Sequence, residues 1–329
     1  MALIAQLLLP FFGGFAALLA ARTGRDRERW VAIAAMAATL AALAAGVALG
    51  DDGRWLAFYR ADWAPSFGIQ VLLAMDGLTA AMLAISSGLG IISVFISWHV
   101  THRSALFHAA ICWTVAAANG VFLSFDLLIF AFFWELMIVP AFLLIALWGH
   151  GDREAAAIKF LVFNAVAGLG LLAAVFWMGA TSDPVTFDAF ALAETEYSET
   201  AQILLLLGFA LAFMVKLPVP PFHAWLPDAH TQAPTAGSIL LAGLLLKTGA
   251  YGLFRFPPML FPDALMALAG WGMALGAFGV VYGGILACGQ TDAKRLVAYT
   301  SVAHMSIVLM GVCGGVHFAL IGAGVEMIA

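Results

Sequence analysis

Apolar residues in this chain do not alternate, and they do not keep to one face of a helical period. They form runs of about twenty, separated by short polar joints, from the first residues onward. A helix rising 1.5 Å per residue needs about 20 apolar residues to cross a hydrocarbon core about 30 Å thick. The runs predict helices at 2–21, 30–50, 71–98, 105–124, 127–148, 156–180, 200–217 with a broken continuation to 231, 236–254, 262–287 and 296–314. An eleventh begins near Val316 and reaches Ala329 after about 14 residues, too few to cross. The expectation is an all-α, polytopic integral membrane bundle that is truncated at its C-terminal end. The start is apolar at once, without a basic segment or a small-residue cleavage site, and reads as a retained first span.

One stretch breaks the pattern. Met214 to Arg255 holds Pro218, Pro220, Pro221, Pro227 and Pro234, with Lys216, Lys247, His223, His230 and Asp228 among them. Proline removes a backbone donor and clashes with the preceding turn, so no continuous helix passes through. Inside a bilayer such a break persists only where protein or trapped water satisfies the freed backbone groups, and transporters build conduction sites there. The stretch therefore points to ion movement, with Lys216 and Lys247 on the path.

Composition fixes the class: 64% of residues are hydrophobic, 10% are charged, and the mean hydropathy is +1.02. The net charge of −5 says little, because few charges face water. Cys112, Cys288 and Cys313 fall in apolar runs and are expected to be packed, reduced thiols. The joints are too short for a soluble catalytic domain. The longest, 181–200, carries Asp183, Asp188, Glu194, Glu196 and Glu199 and no Lys or Arg. Alternate joints collect Arg22, Arg25, Arg27, Arg29, Arg103, Arg153, Lys159, Lys294 and Arg295 on one side, against Arg54, Arg60 and Arg255 on the other. That asymmetry puts the N-terminus outside. Trp30, Trp55, Trp63, Trp98 and Trp148 fall near predicted interfaces as aromatic anchors. Gly272, Gly276, Gly279 and Gly283 form a small-residue stripe that reads as close helix packing.

Few ionisable groups remain within the spans: Glu135, Lys216, Lys247, His304 and Glu326, with Asp228, His223 and His230 in the broken segment. A lone intramembrane histidine, such as His108 or His304, is more often a helix–helix hydrogen-bonding residue than a relay. Glu135 and Lys216 could form a structural ion pair, although burying a pair gains little stability. Glu135 lies nine residues past Asp126, a rise of about 13.5 Å, close to mid-membrane. Burial disfavours the charged form of a carboxylate or an amine, and pairing favours it. A balanced Glu–Lys pair can thus change protonation when its partner moves. Lys216 presents a difficulty of depth, since it lies about 22 Å along its predicted helix, past the midplane.

Other chemistries lack their motifs. No paired Cys motif suits iron–sulfur or zinc, and the glycine-rich GLG at 88–90 lies in a helix rather than after a strand. His99, His102 and His108 cluster near one surface without a facing set for haem. No nucleic-acid partner is expected.

The wording of two stretches is specific. FLSFDLLIFAFFWELMIVPAFLLIALWG (122–149) and KLPVPPFHAWLPDAHTQAPTAGSILLAGLLLKTGAYGLFRF (216–256) closely resemble the antiporter-like subunit M family of bacterial proton-translocating NADH:quinone oxidoreductase, respiratory complex I. MDGLT (75–79), REAAAIKF (153–160) and DAKRLVAYTSVAHMSIVLMG (292–311) match in the same order. The resemblance implies a bundle of the proton-conducting antiporter-like type, with inverted five-helix repeats around broken helices. It divides the chain into three N-terminal helices (1–104), a first repeat (105–257) and the start of a second (258–329). It gives Glu135 and Lys216 the roles of the first half-channel's pair, Lys247 that of the link to the second, and His304 that of a central-axis histidine. It implies no cofactor in this chain; NADH, FMN, iron–sulfur clusters and quinone belong to partner subunits in the bacterial inner membrane. The Glu326 position, where the family suggests a neutral polar residue, has no assigned role. Multisubunit cation/proton antiporters and membrane-bound hydrogenases share this subunit type and are the alternatives.

Overall fold

The computed structural model describes residues 1–24, 26–50 and 53–329; Arg25, counted above among the basic residues, lies outside them. The chain runs α1 (Ala2–Ala20), α2 (Arg27–Ala48), β1 (Ala57–Ala64), β2 (Ile69–Met75), α3 (Gly77–Ile96), α4 (Ser104–Leu123), α5 (Leu127–Leu136), α6 (Ile138–Trp148) and α7 (Arg153–Thr181). It continues with α8 (Ala189–Ala193), α9 (Glu199–Lys216), α10 (Leu226–Gln232), α11 (Thr235–Leu240), α12 (Leu246–Arg255), α13 (Pro257–Leu260), α14 (Pro262–Cys288), α15 (Ala293–Gly314) and α16 (His317–Ile328). Among the described residues ten helical segments are long and apolar enough to cross a membrane, and they coincide with the ten predicted runs. This is a multi-pass membrane protein.

The prediction errs at 71–98. The helix starts only at Gly77, and Val71–Met75 belong to β2, which pairs antiparallel with β1 from Ala57↔Met75 to Ala64↔Ile69. A short apolar run has no period that separates buried strand from helix. The cue was Asp76, whose side chain accepts the Thr79 N–H at 2.9 Å and caps α3. Gly68, at φ +69°, closes the hairpin, and a Cβ there would run into the Val185 backbone.

α4 is the hub of the bundle. Its best apolar window is 89% buried against 17% for α14, and α1, α2, α3, α5, α6 and α12 surround it. Its many Ala, Ser, Thr and Gly residues let neighbouring backbones approach. Polar groups in this core satisfy one another: Ser86 donates to Asn119, Asn119 Nδ2 to Gln6 O at 3.0 Å, and Gln6 Nε2 to Thr39 O at 3.0 Å.

The glycine stripe does what its spacing predicted. Side chains added at Gly272, Gly276, Gly279 and Gly283 would meet Cys313, Met310, Ser306 and Ala303 of α15. All three cysteines are free; Cys112 and Cys313 are packed as expected, but Cys288, at the end of α14, is exposed. Trp148 is not an exposed anchor; it is buried and donates to His102 O at 2.8 Å. His108 bonds within its own helix, Nδ1 to Ser104 O at 2.7 Å, rather than between helices.

Candidate functional site

Two helix breaks meet at one point. Pro218, Pro220 and Pro221 stop α9, whose last residue is Lys216. The last carbonyls of a helix have no donor of their own. One of them, Val215 O, is taken by the Trp225 indole N–H at 2.8 Å. The chain turns and resumes as α10 with Pro227 in its first turn, where a missing N–H is harmless. Pro234 then precedes α11. The second break lies at Met137, between α5 and α6, and Pro140 withholds the N–H that would have bonded back to Leu136.

Lys216 bridges the two. It is 1% exposed, and its Nζ donates to Trp134 O, in the last turn of α5, at 2.9 Å. The same amine sits 3.6 Å from the centroid of the Trp134 ring. A carbonyl and a ring face are both partners for an ammonium, and the C-terminal end of α9 favours a cation. Glu135 follows Trp134 directly. Lys216 therefore lies at the depth of Glu135, which resolves the difficulty that helix length alone posed.

The two charges act on each other without a direct ion pair, since Lys216 holds the carbonyl and not the carboxylate. Glu135 Oε1 is buried and has no hydrogen-bond partner among the described residues. It abuts Gly168 of α7, where a Cβ would fall on it. Glu135 also lines a groove of about 560 Å³ with Trp63, Ile69, Leu128, Phe132 and Leu172.

Lys247 lies just beyond a π-turn, Leu241–Leu245, in the segment that continues α11 into α12. Such widened turns are rare and gather at functional sites. Gly249, two residues on, packs against Lys216: its Cβ would lie 2.9 Å from that of Lys216 and 2.8 Å from Leu217 N. The charged neighbour acting on Lys247 is Glu326 of α16. Glu326 Oε1 in turn lies 2.6 Å from His304 Nδ1 on α15.

The broken segment carries its charge differently from the sequence expectation. Asp228 is not an isolated intramembrane carboxylate. Lys159 Nζ at 2.7 Å and Arg295 Nη2 at 2.8 Å, both assigned to the same basic side, bridge it. His223 packs its ring edge to face with Tyr282 at 5.2 Å, and His230 O accepts from Ser238 Oγ at 3.0 Å. The Nδ1 atoms of both histidines are buried without partners among the described residues. At the opposite end of the bundle Arg255 grips Asp76 with Nη1 to Oδ2 at 2.8 Å and Nη2 to Oδ1 at 2.9 Å. Burial pushes the Asp76 carboxyl up, but the Arg255 hydrogen bond and charge hold it below its ordinary value.

Sequence reasoning missed Trp134, Trp225 and Gly168. Trp134 and Gly168 flank Glu135 in space, and only Trp134 is its neighbour in the chain.

The site thus sets a buried amine beside a half-buried carboxylate, each at a break in a transmembrane helix. The chain belongs to the NADH:quinone oxidoreductase/Mrp antiporter transmembrane family, whose pattern matches residues 124–329. It is similar to NADH-quinone oxidoreductase subunit M of Pseudomonas aeruginosa, at 43% identity over 98% of this chain and 67% of that relative. Among solved structures, a chain of respiratory complex I from Thermus thermophilus with bound NADH superposes with a TM-score of 0.88 and 28% identity, over 100% of this chain and 68% of that one. A chain of the Mrp complex from Dietzia sp. shares the fold, with a TM-score of 0.84 and 24% identity over 100% of this chain and 36% of that one.

Proposed function

We propose that this chain is a proton-translocating membrane subunit of NADH:quinone oxidoreductase, moving protons along a Glu/Lys/His axis that is buried at Lys216, half-buried at Glu135 and, contrary to the sequence expectation, exposed at His304 in the isolated chain, driven by quinone reduction in other subunits. The observation that carries the reading is the meeting of Lys216 with the α5–α6 break beside Glu135, both in a region of family match. A proton held by Glu135 and Lys216 together moves when either partner shifts, because each charge sets the protonation of the other. Lys247, on the helix whose Gly249 packs against Lys216, is the next station, and His304 follows on α15. Water bridges the gaps too long for direct transfer. The prolines at 218, 227 and 234, with His223, Asp228 and His230, hold the broken segment in place. The inverted-repeat division at 104 and 257 belongs to the same reading, as does an N-terminus on the outer side of a bacterial inner membrane. NADH, FMN, iron–sulfur clusters and quinone are assigned to partner subunits, and the immediate neighbours are further antiporter-like subunits.

The test is Glu135→Gln in membranes carrying the assembled complex, with NADH oxidation and acidification followed on one sample. The substitution keeps size and hydrogen bonding but removes the titratable proton. Both activities are expected to collapse with assembly intact. Unchanged activities would refute the reading and direct the next assay to sodium/proton exchange, the activity of an antiporter subunit.

A further inference from the structure

We propose that Glu326 is a proton relay between Lys247 and His304, an element of the axis that the family pattern does not supply. The inference rests on the proton-conduction reading above. α16 packs against both α12 and α15, which brings its one carboxylate to the two helices that carry Lys247 and His304. Glu326 Oε1 lies within hydrogen-bond reach of His304 Nδ1, at 2.6 Å, and Glu326 is the charged group acting on Lys247. After His317 the rest of α16, HFALIGAGVEMI, is apolar, and a carboxylate on such a helix is expensive unless it has partners. Here His304 lies within direct reach of it, and Lys247, on a helix packed against α16, lies beyond direct contact and within electrostatic reach. A purely structural brace explains the α15–α16 contact but not the amine on a third helix.

The step balances as follows. Through a bridging water, the Lys247 ammonium gives a proton to the Glu326 carboxylate, leaving a neutral amine and a carboxylic acid. The acid passes that proton to His304 Nδ1, regenerating the carboxylate, and the imidazolium sheds its Nε2 proton onward. Charge is conserved throughout: water takes the Nε2 proton, and Lys247 regains one from the Lys216 side of the axis.

The experiment uses Glu326→Gln and Glu326→Asp in the complete subunit within the assembled complex, with rates normalised to assembled protein. Glu326→Gln is expected to lower NADH-driven acidification at least about tenfold, short of the 10²–10⁴ typical of a sole proton donor because water offers a bypass. Added formate, a small weak acid, should restore the rate severalfold in Glu326→Gln while leaving the wild type unchanged. Glu326→Asp should keep most of the rate. Should Glu326→Gln not assemble, His304→Gln carries the test, with the same loss and rescue by added imidazole. A wild-type rate in Glu326→Gln overturns the relay. So does a loss that formate does not restore and that Glu326→Asp reproduces, since a brace behaves that way. Glu135→Gln measured alongside separates the failures. If Glu135→Gln pumps normally, the conduction reading itself falls; if it collapses while Glu326→Gln does not, only the relay falls.

Discussion

Gly168→Ala tests the placement of Glu135 without touching any ionisable group. An ideal Cβ at Gly168 would coincide with Glu135 Oε1 and lie 2.7 Å from the carboxyl carbon and 3.3 Å from Oε2. Carbon atoms settle at roughly 3.5–4.0 Å, so the carboxyl group must withdraw by about 0.8 Å or more. It has somewhere to go, because the Glu135 side chain lines an open groove with Phe132 and Leu172. The side chain therefore yields before the backbone. A strained rotamer costs about 0.5–1.5 kcal/mol, and alanine recovers about 0.5–1 kcal/mol over glycine within a helix. Net stability should change by less than about 1 kcal/mol. Proton transfer is less tolerant, since a misplacement of about 1 Å can lower a rate about a hundredfold. The expected outcome is an assembled complex with a thermal midpoint near wild type and acidification reduced ten- to a hundredfold, about 1.4–2.8 kcal/mol of barrier. Gly88→Ala is the control, because nothing lies within 4 Å of its added Cβ. Wild-type pumping in Gly168→Ala would refute the geometry around Glu135. Loss through failed assembly would instead assign Gly168 to helix packing alone.

Lys216→Met removes a buried cation and leaves Trp134 O without its donor, a penalty of about 1–3 kcal/mol that release of the buried charge offsets. Pumping should fall at least about a hundredfold with little change in thermal midpoint, and a variant that pumps while lacking the amine would remove Lys216 from the path. Asp76 predicts a pH effect: a carboxyl held below its ordinary value stabilises the fold above about pH 4 and loses that contribution as pH falls through its folded value. Asp76→Asn should therefore lower stability by about 1.5–3 kcal/mol at neutral pH and flatten the acid limb of a melting-temperature profile; an unchanged acid limb would contradict the assignment. Asp228→Asn leaves Lys159 and Arg295 without their shared carboxylate. These part-exposed pairs contribute about 0.2–1 kcal/mol each, so a small loss that salt erases in the wild type is expected in melting curves, and a salt-independent loss would count against it.

The spans were legible because bilayer thickness dictates run length, and a run of about twenty apolar residues has few other uses. The broken helix was legible because five prolines among buried lysines have no bland explanation in lipid. Val71–Met75 misled because five apolar residues before a cap extend a helical run as readily as they fill a strand. The hairpin depends on partners elsewhere: Gln70 N–H donates to Asp126 at 3.0 Å, and Arg60 bonds Asp188. Asp228 misled for the same reason, since its cations come from positions 69 and 67 residues away. Glu135 and Lys216 could be named from sequence, but not their manner of meeting. That depends on the carbonyl α5 leaves open at Trp134, a property of where the helix ends rather than of any side chain.

The three irregular turns of the site handle the same problem with different donors. At each a side chain takes a backbone carbonyl: Val215 O and Trp134 O, which their helices leave without a partner, accept from the Trp225 indole and the Lys216 amine, and Leu245 O, the first acceptor of α12, accepts also from the Thr248 hydroxyl at 2.7 Å. An indole and a hydroxyl keep their protons at every pH the protein meets, so two of the turns are fixed. The third is closed by a group that can lose a proton and still donate. A neutral amine retains two N–H bonds, enough to hold Trp134 O, while its attraction to the ring face depends on charge and weakens. Loss of a proton from Lys216 would therefore leave the α5–α6 break closed. A methionine could fill the space, and an arginine would stay charged. Only lysine both closes the turn and gives up its proton.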